Sequence, residues 1–428
     1  MQIAYYFGED AFAFRYQAYD DMLWVVLGWL ESLKVIKGHS DRHFRFGLGE
    51  PIPGQGRPWH GEQFMKAFAH RSGIFWELAS KGWDTKFCDG GMVWNSSLEP
   101  YKNAITNELF ITGSIGMYLH FPGDNNTSPY VMEDTNHEEH GSSGSFDPKY
   151  LEAAVAGYTW LRNSEMTNDQ GLYVDGFHVQ GWNENGTSCN IRNEMLYTYN
   201  QGVLLSGLRD LWECTGDLTY LEDAHQLARS AIRASGWDLE EHRPVQSLRW
   251  AGLGCNGILE DFCDADGDCS QDAEVFKGIF MNHLTLLCDH LPLTPRVPGK
   301  TFGAGKDLVF LHRQSCKQYT PWIAHNAKAV LTTQDHRGRS GGWWGARGNV
   351  TGESLPDGTA DCRSDDSECV KTRSNGCYPP LELDRDAYQS DNYEAQCDLN
   401  DSGRGRTVET HSSGLAVLRA LWEFRHNE

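Results

Sequence analysis

The chain has 428 residues, 59 acidic against 37 basic, for a formal net charge of −22. That balance argues against a nucleic acid or an anionic membrane as the main partner, because both are held by clustered Lys and Arg, and it favours an uncharged or cationic ligand. Aromatic residues make up 12% of the chain, with 15 Trp and 17 Tyr, more than a core requires and the kind of face on which pyranose rings stack.

Length alone allows two domains or one large barrel, so the order of elements decides. Tyr19-Asp20-Asp21 opens an apolar helical run in which Met22, Leu23, Val26, Leu27, Leu30 and Leu33 recur at helical spacing beside Trp24 and Trp29. Most of the circumference of such a helix is expected to be buried. A Gly/Pro loop from Gly47 to Pro58 leads to an amphipathic helix from about His60 to Lys81, and a Gly-rich turn, Cys88 to Asn95, precedes an apolar helix from Tyr101 to Leu119. The alternation continues through an amphipathic helix capped by Asp147-Pro148 and running to Asn163. A buried helix opening Tyr197 to Gly202 and a charged one from Asp217 to Ala234 follow. Next come a buried run from Asp272 to Met281, a helix from Tyr319 to Gln334, and a last buried helix opening at Glu409. No strand of convincing length separates them. The buried helices begin with polar and aromatic clusters and the others read as surface helices, which describes two concentric rings with the inner N-termini gathered at one end. The expected organisation is a single all-α domain, residues 1–428, with a Gly- and Cys-rich insertion at about 341–403.

Asp20 and Asp21 sit where the free N–H groups and dipole of an inner helix stabilise a carboxylate. One aspartate suffices as an N-cap. Two side by side repel and raise one pKa, the arrangement expected of a general acid and a nucleophile. Asp20, nearest the terminus, is expected to be the better anion, and Asp21, beside that charge and near Trp24, the proton donor.

Five stretches taken together resemble glycoside hydrolase family 76, the α-1,6-mannanase family, in its fungal branch. They are Tyr19-Asp20-Asp21 with Trp24; Gly90-Gly91-Met92-Val93-Trp94-Asn95; Tyr101-Lys102-Asn103-Ala104-Ile105-Thr106-Asn107; Tyr199-Asn200-Gln201-Gly202; and Phe276-Lys277-Gly278-Ile279-Phe280. The resemblance implies an (α/α)6 barrel, retaining hydrolysis or transfer on α-1,6-linked mannose, Asp20 as nucleophile and Asp21 as acid/base. Family members carry a helical hairpin before the Asp pair, and only 19 residues precede it here, so the N-terminal hairpin is expected to be missing from this numbering. Some fungal members end in a hydrophobic GPI-attachment tail, and since Phe424 to Glu428 shows none, membrane anchoring is not expected.

Retaining glycosidases hold their carboxyls about 5–5.5 Å apart and inverting ones about 6.5–9.5 Å. Neighbouring helical side chains reach the shorter distance, so local geometry permits retention. Trp24, Trp94, Tyr101 and Tyr199 are candidates to stack on or bond a sugar, Asn95, Asn103, Asn200 and Gln201 to bond its hydroxyls, and Lys277 to act as a charge partner, with a structural role open for each. No cofactor and no metal are expected. Asp264-Ala265-Asp266-Gly267-Asp268 reads like the start of a calcium loop, but position 12 is Val275 rather than Glu, so a loop closed by Cys263 and Cys269 is the better reading. The twelve cysteines lack paired metal spacing and read as disulfides, including bridges among Cys362, Cys369, Cys377 and Cys397. Sequons at Asn95, Asn125, Asn126, Asn185, Asn349 and Asn400 agree with a secreted or cell-wall glycoprotein, Asn95 being expected to stay buried and unmodified. Met1 to Tyr6 is not a signal peptide.

The partner is expected to be a mannose-containing oligo- or polysaccharide, such as α-1,6-mannan or a GPI-core glycan, and the protein a monomer. Three alternatives stay open. One is a transglycosidase that moves GPI-linked mannoproteins onto cell-wall glycan. Another is a non-catalytic mannan-binding protein. The third, a terpene cyclase, is disfavoured because no third Asp follows the pair at the expected spacing.

Overall fold

The computed structural model describes residues 17–44, 61–124, 144–183, 187–245, 249–346, 398–401 and 403–426. Among them nine α-helices alternate between two layers. The inner layer is α1 (Tyr19–His43), α3 (Ala104–His120), α5 (Val203–Thr215), α7 (Phe276–Leu287) and α9 (Val408–His426), and the outer layer is α2 (Met65–Ser80), α4 (Pro148–Asn163), α6 (Thr219–Ala234) and α8 (Lys306–Thr332). Inner helices pack on one another in chain order, α1 on α3, α3 on α5, α5 on α7 and α7 on α9, while α2, α4, α6 and α8 each back an inner helix. The expected double ring is therefore present.

Sequence explains the division. Every residue of α3 from Ala104 to Tyr118 is buried, as a helix with apolar and small residues all round must be. By contrast, α6 buries Tyr220, Leu221, Ala224, Leu227, Ala228, Ala231 and Ile232, one stripe at helical spacing, and leaves its charges outside. The predicted cap of α4 also holds: Asp147 accepts a 3.0 Å hydrogen bond from the Lys149 N–H, with Pro148 in the first turn.

Five expectations need correction. α1 is not buried all round; it buries a stripe of Met22, Leu23, Val26, Leu30, Leu33 and Ile36, while Val35 is 64% exposed. α1 packs on α2 and α3, and its remaining face is not covered to the same degree. α8 begins at Lys306, well before Tyr319, and runs through Pro321. Its buried stripe starts with His312 and Cys316, polar residues that a reading by hydropathy passes over. The α3 helix starts at Ala104, because Tyr101–Asn103 form strand β1, which pairs with β2 (Gly176–Gln180), itself paired with β3 (Ser188–Asn193), all antiparallel. The strands are too short for an alternation signal. Asn400 is no glycan acceptor surface: it is buried, and its amide bonds both backbone groups of Trp343. Asn95 is half-buried rather than buried.

Disulfides join Cys88 to Cys189, Cys263 to Cys269 and Cys288 to Cys316. The second is the predicted closed loop. Cys362, Cys369, Cys377 and Cys397, the sequons at Asn125, Asn126, Asn185 and Asn349, and most of the 341–403 insertion lie outside the described residues. No described helix is long and apolar enough to cross a membrane.

Candidate active site

The polar clusters read as first turns of inner helices sit just before them. Tyr101–Asn103 is extended, and Tyr199–Gln201 and Ala273–Val275 are 3-10 turns leading into α5 and α7. Each lead-in sits at an inner N-terminus, so side chains remote in sequence collect at one end of the barrel.

Asp20 and Asp21 occupy the first turn of α1, whose cap position is Ala18 with no side-chain cap. Neither aspartate is the N-cap. Both Asp20 oxygens accept N–H donors, Oδ1 from the Asp21 backbone at 2.9 Å and Oδ2 from the Trp94 indole at 3.0 Å. Burial nevertheless pushes the Asp20 carboxyl up to about 7, the Asp21 charge adds to the rise, and the two donors offset part of it. Asp21 is exposed and also raised, by partial burial first and then by the charge of Asp272, with the Ala18 N–H pulling the other way. Asp20 is thus not the readier anion, contrary to expectation, because it is the more buried of the two.

Trp94 reaches Asp20 because the Gly-rich turn is fixed from several sides. The Tyr19 N–H donates to the Trp94 carbonyl, and the Trp94 N–H to that of Tyr101, both at 2.8 Å. The Asn107 amide holds both backbone groups of Met92. Lys102, fully buried, places its ammonium among the carbonyls of Asp84, Phe87, Gly90 and Gly91. Gly91 lies at φ +87°, where a Cβ would stand 2.5 Å from the Trp160 ring, so this turn requires glycine. The Cys88–Cys189 bridge ties the same turn to β3.

Across the site the Tyr101 hydroxyl donates to Asp175 Oδ2 at 2.5 Å, and Asn193 Nδ2 donates to the same oxygen at 3.0 Å. Burial raises Asp175, and these donors hold it back. Gly176 follows, where a Cβ would lie 2.4 Å from the Lys102 carbonyl oxygen; without glycine β2 could not lie against β1. Tyr199 stacks on Phe276 with centroids 3.8 Å apart and planes at 2°. Burial, then Asp175 and then Asp20, lift the Tyr199 hydroxyl well above its ordinary range, so it stays protonated and can donate as well as accept. The Asn200 side chain also approaches Asp175 and helps hold its carboxyl back, and the Oδ1 of Asn103 is buried without a partner in the protein, the state of a group left for a hydroxylated ligand.

Three comparisons bear on this arrangement. The family model for glycosyl hydrolase family 76 matches residues 145–297. A mannan endo-1,6-alpha-mannosidase of Saccharomyces cerevisiae is 24% identical over 252 residues, 56% of this chain and 42% of that protein. One from Candida albicans is 21% identical over 306 residues, 68% of this chain and 57% of that protein. Over residues 145–297, its middle third, the chain is similar to glycoside hydrolase family 76. It spans about half the length of these curated relatives. The α-1,6-mannanase of a Salegentibacter species superposes with a TM-score of 0.52 at 17% identity, covering 95% of this chain and 76% of that one. An inactive variant of the same mannanase, changed at two consecutive aspartates and bound to α-1,6-mannotriose, gives 0.52 at 16% identity, covering 96% and 77%. At such identity these neighbours establish the fold, an (α/α)6 barrel.

Not every residue of the motifs singled out in the sequence faces the site. Gln201 is fully buried and spends its amide on the backbone of Tyr173 and Tyr197. Lys277 is fully buried with its ammonium 2.7 Å from both oxygens of Asp264 and 4.0 Å from Asp261. Its partners are internal carboxylates, so it is no charge partner for substrate, and its ammonium fills the place a calcium ion would need on Asp264. Asp261 in turn accepts from the Thr198 N–H and hydroxyl at 2.8 and 2.7 Å, which fixes the lead-in that carries Tyr199. Asn95 turns its Oδ1 to the Ser97 N–H at 2.8 Å. Trp24 lies one turn below Asp20 and lines an interior cavity of about 500 Å³ between the inner helices. Sequence reasoning missed Asp175, Asn193 and Asp272. The only signal for Asp175 is an acid between Val174 and Gly176, which becomes legible once a strand is recognised there.

Proposed function

We propose that this protein is a retaining glycosidase acting on α-1,6-mannoside linkages of cell-wall mannan or a related glycan, in an extracytoplasmic setting. The observation that carries the reading is the adjacent carboxyl pair, buried enough to be raised in pKa and left without any cationic partner described beside it. The mannosidase names of the curated relatives and the doubly substituted, inactive mannanase support it. Asp20, oriented through both oxygens, is the proposed nucleophile in the state in which its raised carboxyl has given up its proton. Asp21, on the solvent side, protonates the leaving oxygen and then deprotonates water. In the first step Asp20 Oδ forms a bond to the anomeric carbon as the glycosidic C–O bond breaks and the Asp21 proton passes to the departing sugar. In the second step water attacks the same carbon, Asp21 takes its proton, and Asp20 is released. Tyr199, Tyr101, Asp175, Asn103 and Asn200 are the proposed contacts to the sugar.

A transglycosidase shares every step except the last, in which a sugar hydroxyl replaces water. Incubation with a defined α-1,6-mannooligosaccharide plus an excess of acceptor glycan separates the two. Reducing sugar as the main product supports hydrolysis, and elongated products in majority overturn it in favour of transfer. Binding without any product leaves the mannan-binding protein.

A further inference from the structure

The connection from outer helix α6 to inner helix α7, residues 235–275, lies at the end of the barrel where the inner N-termini gather. It holds two aromatic side chains at the surface. Phe262 is 46% exposed, Trp250 is half-buried, and the two rings meet edge to face with centroids 6.1 Å apart. A single exposed ring is ordinary on a protein surface, whereas paired rings fixed beside a site mark a ligand surface.

The backbone around both rings is fixed. Asp261, next to Phe262, accepts from the Thr198 N–H and hydroxyl at 2.8 and 2.7 Å, and its own N–H donates to Asp264 Oδ2 at 2.8 Å. Cys263, on the other side, is bridged to Cys269. Beside Trp250 the Ala251 carbonyl accepts from Gln170 Nε2 at 2.9 Å, and the Ala251 N–H donates to the Gly254 carbonyl at 2.8 Å. Thr198 and Gln170 both belong to the connection between α4 and α5 that carries Asp175 and Tyr199. The ring pair is therefore tied to the wall of the candidate site by two separate hydrogen-bonded contacts.

Tyr197 bridges the two. Its ring lies edge-on to both members of the Tyr199–Phe276 stack, with centroids 6.0 and 5.6 Å away. Burial raises its hydroxyl, followed by the charge of Asp175 and then that of Asp261, so Tyr197 feels the acid of the site and the acid next to Phe262 together. Tyr199 in turn feels Asp20. From the Asp pair outward the rings follow in the order Tyr199 with Phe276, then Tyr197, then Phe262 with Trp250.

Charge narrows the ligand class. From Arg249 to Asp272 the exposed charged residues are that one base and three acids, Asp266, Asp268 and Asp272. An anionic ligand is disfavoured on such a surface. Rings beside carboxylates suit a run of pyranoses, whose C–H faces stack while their hydroxyls donate.

We propose that, given the α-1,6-mannoside reading of the Asp pair, Tyr197, Phe262 and Trp250 form a further subsite on which the same uncharged glycan continues beyond the linkage at Asp20 and Asp21. The protein then prefers long α-1,6-mannosides to short ones. Because the rings sit on tied backbone, little freedom is lost when the glycan lands on them.

The experiment is calorimetric titration of the full chain carrying Asp20→Asn with α-1,6-mannobiose and with α-1,6-mannohexaose. The hexaose is expected to bind at least about tenfold tighter than the biose. Adding Phe262→Ser or Trp250→Ala should cut that ratio to about twofold, and adding Phe262→Trp should keep it, since a ring is restored. A partly unfolded variant lowers the number of binding sites and not the ratio of dissociation constants. Equal affinity for the two oligosaccharides in the Asp20→Asn protein overturns the subsite, as does a ratio that neither Phe262→Ser nor Trp250→Ala moves, or one that Phe262→Trp abolishes as fully as Phe262→Ser; each leaves the reading of the Asp pair standing. Absence of binding to both oligosaccharides overturns that reading and the subsite with it.

Discussion

Two pairs of aspartates lie near the N-termini of inner helices, and they differ in one respect. Asp261 and Asp264 have Lys277 between them, its ammonium bonded to both oxygens of one and 4.0 Å from the other. Asp20 and Asp21 have no described cation and are each raised by burial and by a neighbouring acid. Burial works against the Lys277 ammonium, but the opposite charges of Asp264 and Asp261 outweigh it and hold the ammonium charged, and Lys277 in turn pulls back the rise that burial gives Asp261, which stands at about 6. The same ingredients therefore give a structural clamp where a lysine completes them and a reactive pair where it is missing. The clamp also serves the reactive pair, since Asp261 anchors Thr198 and with it the Tyr199 lead-in.

The largest expected effect breaks the reactive member. Asp20→Asn and Asp21→Asn should each lower kcat/KM on α-1,6-mannooligosaccharides by about 10⁴-fold or more, with oligosaccharide binding retained by calorimetry. Breaking the clamp should do something different. Lys277→Met leaves two buried carboxylates uncompensated and should cost about 3–5 kcal/mol of stability in a denaturant titration. A Lys277→Met protein as stable as wild type would show that the cluster does not hold the fold.

The pH dependence sharpens the contrast. A carboxyl raised to about 7 in the folded state from its ordinary 3.8 binds more protons folded than unfolded in that window, so stability falls as pH rises through it. Asp20→Asn removes that loss. The variant should melt higher than wild type at pH 8, by a margin worth about 2 kcal/mol, and the margin should vanish near pH 4. Smallest is the effect of Trp94→Phe, which deletes one donor to Asp20 and should cut turnover about tenfold while leaving the melting temperature nearly unchanged.

Much of this was legible in the sequence. The buried run after Asp20-Asp21, the Asp147-Pro148 cap and the lead-in clusters sufficed for the double ring, because helical spacing and caps are local signals. Asp175 and Asn193 were not legible, since β2 and β3 exist only through pairing with Tyr101–Asn103. The roles of Lys102, Gln201 and Lys277 were hidden for a similar reason. A polar residue in a motif is compatible with touching ligand or with satisfying buried backbone and charge, and only the partners tell which: four carbonyls for Lys102, the Tyr173 and Tyr197 backbone for Gln201, two aspartates for Lys277. The ordering of acidity within the Asp pair failed because burial, a tertiary quantity, outweighs position at the helix terminus.

The most direct test follows a chemically defined α-1,6-mannotetraose by proton NMR in the presence of wild type, Asp20→Asn and Asp21→Asn. The account requires wild type to cleave it with the first-formed product in the α configuration, and both variants to bind it uncleaved. Cleavage by both variants at the wild-type rate, or a first product in the β configuration, would contradict it.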